Sequence, residues 1–292
     1  MPKPGKKSYR IPRSFRPLSL SSFQQKGLER LVSWRVEETA LKAKPLHCRQ
    51  FAFRKNHSTQ HALSGALNTI ESSLLGKKMV INIDLNIKGA FDNIKTCAIV
   101  RSEPWKKRGI ESNIIAWYSD YLHHGTCEAQ LGKSSVTARL TCGCPQGGVA
   151  SPLIACNLSY DSVLEAFDGT AVAQFEFAND GKLIITGIDF DMMMRVAQWA
   201  LQEAEQWAAS VGVSFSTEKT AVMFLNKGVY KKGIKKRPVL FQPPVGTHLK
   251  LYKCPLEWVN ESKYLGVIID RGISFRLSDN TSKPESQPQR GS

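Results

Sequence analysis

No apolar run in this chain approaches the ~20 residues that a membrane-crossing helix needs, so no membrane-spanning segment is expected. The short apolar core of a secretory leader is missing as well. None of the seven cysteines, an odd number, is spaced C-x-x-C. That argues against a disulfide framework and for reduced thiols in an intracellular setting. Cys142 and Cys144 flank a single glycine, too close together for a zinc knuckle. Acidic residues are scarce, 25 Asp and Glu against 40 Lys and Arg, which leaves a net charge of +15 and a pI near 9.6. Such a surplus suits a polyanionic partner, because neutralising phosphates releases counterions. A basic but merely solvated surface is the alternative.

The 292 residues, 42% of them hydrophobic, suffice for one large or two modest packed domains. Helical periodicity runs over residues 23–43 through Leu28, Leu31, Val32 and Val36. It returns from Ser58, a candidate cap, through Leu63, Leu67, Ile70 and Leu74 to a stop at Gly76. A third amphipathic helix is expected from about Asp191 to Gly212, with Met192, Met193 and Met194 as core filler. Residues 80–88, rich in β-branched side chains, read as a buried strand that ends in a turn at Gly89. Residues 175–185 read as two short strands joined by a tight Asn179-Asp180-Gly181 turn. Between these, a glycine-rich loop over 143–148 leads into a helix with Ser151 as N-cap and Pro152 in its first turn. Asp92 is expected to cap a helix that starts at Asn93, in which a mid-helix Pro104 would cost about 3 kcal/mol unless the helix is already broken. Lys231, Lys232, Lys235, Lys236 and Arg237 form a basic run suited to a solvated loop, a nucleic-acid contact or nuclear import, and residues 271–292 read as a disordered tail.

Three segments, in this order and spacing, resemble the motifs of reverse transcriptases, and more narrowly those of non-LTR retrotransposons of the jockey and LINE type. They are Asp84-Leu85-Asn86-Ile87-Lys88-Gly89-Ala90-Phe91-Asp92, Gly143-Cys144-Pro145-Gln146-Gly147-Gly148 and Phe177-Ala178-Asn179-Asp180. The resemblance extends to Pro2-Lys3-Pro4-Gly5-Lys6, to Gln50-Phe51-Ala52-Phe53-Arg54-Lys55, to Gly212-Val213-Ser214-Phe215 with Lys219-Thr220, and to Tyr264-Leu265-Gly266, and so covers roughly residues 1–270. It implies an α+β right-hand polymerase. Fingers would lie mainly in 1–79 and about 94–142, and a palm mainly in 80–93 and 143–270, built on a small antiparallel sheet flanked by helices. The thumb would be absent or vestigial, and the position of the first motif implies no room for an upstream endonuclease.

The resemblance also implies RNA-directed DNA polymerisation, with an RNA template, a DNA primer and deoxynucleoside triphosphates as partners. The cofactor would be Mg2+, two ions about 3.5–4 Å apart carrying the nucleotidyl transfer. Residue by residue, the metal-binding aspartate positions hold Asn86 and Asn179, with Asp180 beside the second, and Lys219 matches the general acid. Arg54 and Lys55 match the triphosphate grip, Phe91 the gate beneath the incoming sugar, and Gln146 with Gly147 the nucleotide-contacting loop. An asparagine offers one neutral carbonyl oxygen where an aspartate offers an anion, so the two replacements should weaken metal and transition-state binding by several kcal/mol. Asp84 lies on the same strand face as Asn86 but about 6–7 Å away, too far to stand in as a ligand. Glu176 stands where the family has glycine, and Gly181 and Lys182 where it has an apolar pair. The expectation is a truncated, catalytically inactive polymerase domain, nuclear if expressed; the alternative is a non-catalytic RNA- or DNA-binding protein derived from one.

Overall fold

The computed structural model describes residues 1–3, 8–11, 14–16, 18–100, 103–131, 133–226, 243–273 and 275–277. The basic run at 231–237 and residues 278–292 of the expected tail lie outside the described residues, whereas residues 275–277, at the start of that tail, are not disordered but pair as a strand with 267–269.

Helix α1 (Phe23–Val36) starts at Ser22, whose Oγ accepts from the Gln25 N–H, and widens into a π-helical turn over Glu37–Leu41. Its buried face agrees only in part with the periodicity: Val36 is buried and Val32 packs partly against the core, but Leu28 and Leu31 are exposed and the carboxylate Glu29 is fully buried. Helix α2 (Thr59–Leu75) agrees with the sequence. Ser58 caps it through the His61 N–H, Gly76 ends it, Ala62, Ala66, Ile70 and Leu74 are buried, and Leu63 and Leu67 are partly so. Strand β1 (Met79–Lys88) follows, then a turn at Gly89, whose φ of 55° favours glycine, and four helices: α3 (Ala90–Asn93), α4 (Thr96–Val100), α5 (Glu103–Lys107) and α6 (Ser112–His123). The single helix expected after Asn93 is therefore already broken. Asp92 sits inside α3 rather than capping a helix at Asn93, and Pro104 falls in the first turn of α5, where a missing N–H is tolerated.

An exposed hairpin, β2 (Thr126–Leu131) with β3 (Ser134–Arg139), precedes the glycine-rich loop. A π-helical segment (Ser151–Asn157) then leads into α7 (Leu158–Glu165). Ser151 lies within this segment with its Oγ buried, so it is not the N-cap; Pro152 does occupy the first turn. The chain continues through β4 (Val172–Phe177), β5 (Asp180–Gly187), α8 (Phe190–Val211), β6 (Ser214–Phe215) and β7 (Ala221–Leu225). It ends in β8 (Lys250–Leu251), β9 (Cys254–Pro255), β10 (Glu261–Tyr264), β11 (Val267–Asp270) and β12 (Phe275–Leu277). Asp189 caps α8 through the Met192 N–H, so the helix begins at Phe190; of its three methionines Met193 is buried, whereas Met192 is 54% exposed.

Strands β4, β5 and β1 pair antiparallel in that order, and the far edge of β1 is shared between β7, against Val80–Asp84, and β6, against Ile87 and Lys88. Strand alternation divides β1 between two cores. Ile81, Ile83, Leu85 and Ile87 join the larger core under α6, α7 and α8, while Val80 joins a smaller one with α2, Tyr264 and Ile269. The polar residues Asn82, Asp84 and Asn86 share the face of Val80, so a strand buried on both sides carries a polar row toward the β10–β11 hairpin. Deep in the larger core, Arg108 pairs with Asp161 of α7, whose other carboxylate oxygen accepts from the His47 N–H at 2.7 Å.

Candidate active site

Register fixes the centre of the site. Asn86 stands opposite Asp180, and Asp84 opposite Lys182, so both pairs face the same side of the sheet. The expected Asn179-Asp180-Gly181 turn is displaced toward the N-terminus. The two turn residues are Ala178, at φ 58°, and Asn179, whose carbonyl accepts from the Ile87 N–H; Asp180 and Gly181 already belong to β5. Cross-strand packing accounts for the shift. Gly181 lies against the Glu176 side chain so closely that a Cβ there would come within 2.6 Å of Glu176 Oε1.

Within this face the hydrogen bonds leave little choice. Asn86 Nδ2 donates to Asp180 Oδ1 at 2.7 Å, and Lys219 Nζ donates to Asn86 Oδ1 at 3.3 Å. A carboxylate only accepts and an ammonium only donates, so these two partners fix the orientation of the amide. Next along the strands, Lys182 Nζ donates to Asp84 Oδ1 and, at 2.8 Å, to Asn82 Oδ1, while Asn82 Nδ2 donates to Asp84 Oδ2 at 3.2 Å. The Lys182 ammonium also lies 4.4 Å from the centre of the Tyr264 ring. Burial pushes the Asp180 carboxyl above its ordinary value, against the lowering effects of the Asn86 hydrogen bond and the Lys219 charge. A cleft of about 420 Å³ opens over these groups, with Asp84, Asn86, Asp180, Lys219 and Lys263 in its walls and the Leu265–Gly266 turn at its rim. Both turn residues have positive φ, 48° and 87°, the mark of a tight hairpin. Asn179 stands in the turn beside the cleft rather than in its lining.

The glycine-rich loop is held from two sides. Cys144 N–H donates to Phe91 O and Gly143 N–H to Ile94 O, and a Cβ at Gly143 would come within 2.7 Å of Phe91 O. Phe91 is thereby fixed beside the loop that carries Gln146 and Gly147. On the other side Ser19 N–H donates to Gln146 O, and the buried Glu29 carboxylate accepts from the Val149 and Ala150 N–H groups and from the Tyr121 hydroxyl. Glu29 thus does for the following helix what Ser151 was expected to do. Glu29→Ala should lower stability by about 2–4 kcal/mol by stranding these donors, with Glu29→Gln much milder; urea unfolding of both variants checks this.

Arg54 and Lys55 are not brought to the cleft. Arg54 donates to the His47 and Gln50 carbonyls, and Lys55 pairs with Glu37 at 3.5 Å. Both line a second cavity of about 400 Å³, joined to the rest of the site by the edge contact between the Phe53 and Phe91 rings. On β4, Glu176 is buried, its Oε1 accepts from Gln174 Nε2 and its Oε2 lacks a hydrogen-bond partner; burial pushes its carboxyl up to about 8. Sequence reasoning missed Glu29 and the Lys182–Asp84 pair as site elements. A lysine inside a strand of apolar residues was the available signal, readable only once the register was known.

Divalent cations of the magnesium type seek several hard anionic oxygens. Among the described residues no group of three or more His, Cys, Asp and Glu is placed to share an ion. In the cleft Asp180 accepts from an amide, and Asp84 from an ammonium and an amide. This donor set does not fit a Mg2+ pair.

Residues 1–269 match the family model described as reverse transcriptase (RNA-dependent DNA polymerase). The chain belongs to the reverse transcriptase family. Similar curated proteins are non-LTR retrotransposon polymerases. Identity is 25% to the Pol polyprotein of the type-1 retrotransposable element R1 of Bradysia coprophila, over 91% of this chain and 24% of that protein. It is 26% to the probable RNA-directed DNA polymerase of the X-element of Drosophila melanogaster, over 94% and 28%. For the polymerase of the mobile element jockey of the same fly it is 24%, over 90% and 27%. This reverse transcriptase chain thus spans about a quarter of the length of those relatives. Among solved structures its fold is similar to that of telomerase from Candida tropicalis in complex with a fragment of telomeric RNA, with a TM-score of 0.57 at 13% identity over 91% of this chain and 39% of that one. Telomerase from Candida albicans gives a TM-score of 0.53 at 10% identity, over 86% and 38%. The mixed helices and small antiparallel sheets are those of a reverse transcriptase fold.

Proposed function

We propose that this chain is the fingers-and-palm part of a non-LTR retrotransposon reverse transcriptase that has kept its grip on a template and primer and lost nucleotidyl transfer. The five-stranded sheet would be the palm, and the cleft over Asn86 and Asp180 the polymerase centre. One observation carries the reading. Where two-metal chemistry needs two carboxylates bridging cations, an amide donates its N–H into the one carboxylate that remains, Asn86 to Asp180 at 2.7 Å. At this position the Asn86 amide presents an N–H where a metal-bridging carboxylate would present an anionic oxygen, and its carbonyl oxygen already accepts from Lys219. The surplus of 40 basic over 25 acidic residues supports the retained half of the proposal, binding to a polyanion.

The test pairs two assays on the chain as it stands. Binding to an RNA-template, DNA-primer duplex is expected, with the logarithm of the affinity falling linearly with the logarithm of salt. Primer extension with magnesium and deoxynucleoside triphosphates is expected to give no product. Incorporation that vanishes in Asp180→Ala would show that the chemistry survives, and failure to bind the duplex would remove the reading altogether.

A further inference from the structure

The alternation of β5 places a lysine where the neighbouring positions bury hydrocarbon. Lys182 is fully buried on the strand that carries Asp180, between Gly181 and the apolar Leu183, Ile184 and Ile185. An ammonium has three donor hydrogens and, once out of water, needs a partner for each. Here two point at Asp84 Oδ1 and Asn82 Oδ1, and the Tyr264 ring at 4.4 Å meets the remaining side. Seen from Asp84, both carboxylate oxygens are occupied from within the protein, one by Lys182 and the other by the Asn82 amide. Asp84 nevertheless lines the cleft, one cross-strand pair away from Asn86 and Asp180.

The local charge balance follows from these contacts. Asp84 and Asp180 supply the negative charge of the cleft, and Lys219 and Lys263 in its walls, with Lys182 beneath, outnumber them. An arriving divalent ion would meet one acid neutralised by a buried ammonium and another hydrogen-bonded to Asn86. Changing Asn86 and Asn179 alone would leave the first of these obstacles in place, because Lys182 cannot swing away without stranding its own charge in a water-free site.

We propose that Lys182 is an internal cation of this cleft, holding Asp84 and Tyr264 in place of a divalent ion, so that Asn86→Asp with Asn179→Asp leaves the cleft closed to divalent metal until Lys182 is also replaced. The inference rests on the reading of Asn86 and Asn179 given above. It assigns metal exclusion to two separate groups, the asparagines and the lysine.

Manganese(II) titration followed by the EPR signal of the free ion tests it, comparing the Asn86→Asp/Asn179→Asp chain with the same chain also carrying Lys182→Met. The triple variant should bind Mn2+ roughly 10–100-fold more tightly than the double variant, the usual range for a group acting beside metal ligands. Equal affinities in the two, including no binding by either, overturn the proposal. Thermal unfolding of the Asn86→Asp/Asn179→Asp chain, with Lys182 still in place, in EDTA and then in excess Mg2+, decides the matter even where the triple variant does not fold. An internal cation predicts the same midpoint in both, and a midpoint raised by Mg2+ overturns it. Duplex binding by the unmodified chain, measured in parallel, reports on the proposed function separately, since losing it would sink that function without altering the manganese comparison.

Discussion

The chain should lose stability steadily as pH rises from about 4.5 to about 8, and Glu176→Gln should remove most of that slope, leaving the smaller contributions of the raised Asp161 and Asp180 carboxyls. Buried on β4, the Glu176 carboxyl is held up to about 8 against an ordinary 4.5, chiefly by burial, with the Asp180 charge adding to the rise and the Gln174 hydrogen bond opposing it. Below pH 4.5 the group is protonated in both the folded and the unfolded chain, and its stabilising effect is fully present. Between the two values the unfolded chain releases a proton that the folded chain retains, so unfolding gains ground with every step in pH. The gap between 8 and 4.5 amounts to about 4–5 kcal/mol at the alkaline end. That is a large share of the 5–15 kcal/mol typical of a whole domain. The glutamine variant carries no titrating group at this position, so it should match the parent at pH 4 and exceed it above pH 8 by about that amount. Urea unfolding across this range measures the effect; parallel slopes in the two chains would show that Glu176 is not the source.

Asp161→Ala should destabilise the fold by about 3–5 kcal/mol. Its carboxylate, fully buried on α7, pairs with Arg108, itself only 7% exposed, and accepts from the His47 backbone. Burial raises the Asp161 carboxyl above its ordinary value against the lowering effects of the His47 hydrogen bond and the Arg108 charge, so these attractions do not fully offset the loss of water. The cost of the substitution comes instead from taking the closest carboxylate away from a buried guanidinium. Glu165 approaches Arg108 at 3.4 Å, but its half-exposed side chain is too distant and too wet to take over. Removing both charges together, as Asp161→Asn with Arg108→Met, should cost far less than Asp161→Ala alone. A double-mutant cycle by chemical denaturation yields the coupling directly, and additive single effects would contradict it.

The sequence made some of this legible and hid the rest for physical reasons. Helix α2 was readable because its cap, its stop and its apolar period all lie within one short segment. Strand β1 was readable from its β-branched run, and the structure joins Asn86, Asp180 and Lys219 by hydrogen bonds. The hairpin between β4 and β5 was foreseen, but its turn was placed too late, because pairing with β1 rather than turn propensity sets where β5 begins. On α1 the leucines that suggested a core face are exposed, since the buried partner of that helix is a loop bound by the Glu29 carboxylate. The Lys182–Asp84 pair was invisible for a related reason: two residues 98 positions apart become neighbours only when the register is known. Arg54 illustrates the opposite error, a basic residue whose guanidinium serves two backbone carbonyls of its own segment.

The Glu29 contact also constrains the order in which this molecule can be built. Its partner N–H groups lie 120 and 121 positions further along the chain, Asn86 waits 94 positions for Asp180 and 133 for Lys219, and β1 has no strand of the sheet before it in sequence. During synthesis β1 therefore leaves the ribosome with α2 to dock against but none of its strand partners, and loops of that length must close before any of the central contacts forms. Until β7 has emerged, the apolar edge of β1 is an unpaired strand open to other chains. Yield in a cell should accordingly depend on chaperones that shield nascent strands, and slower translation between residues 90 and 180 would prolong that vulnerable interval.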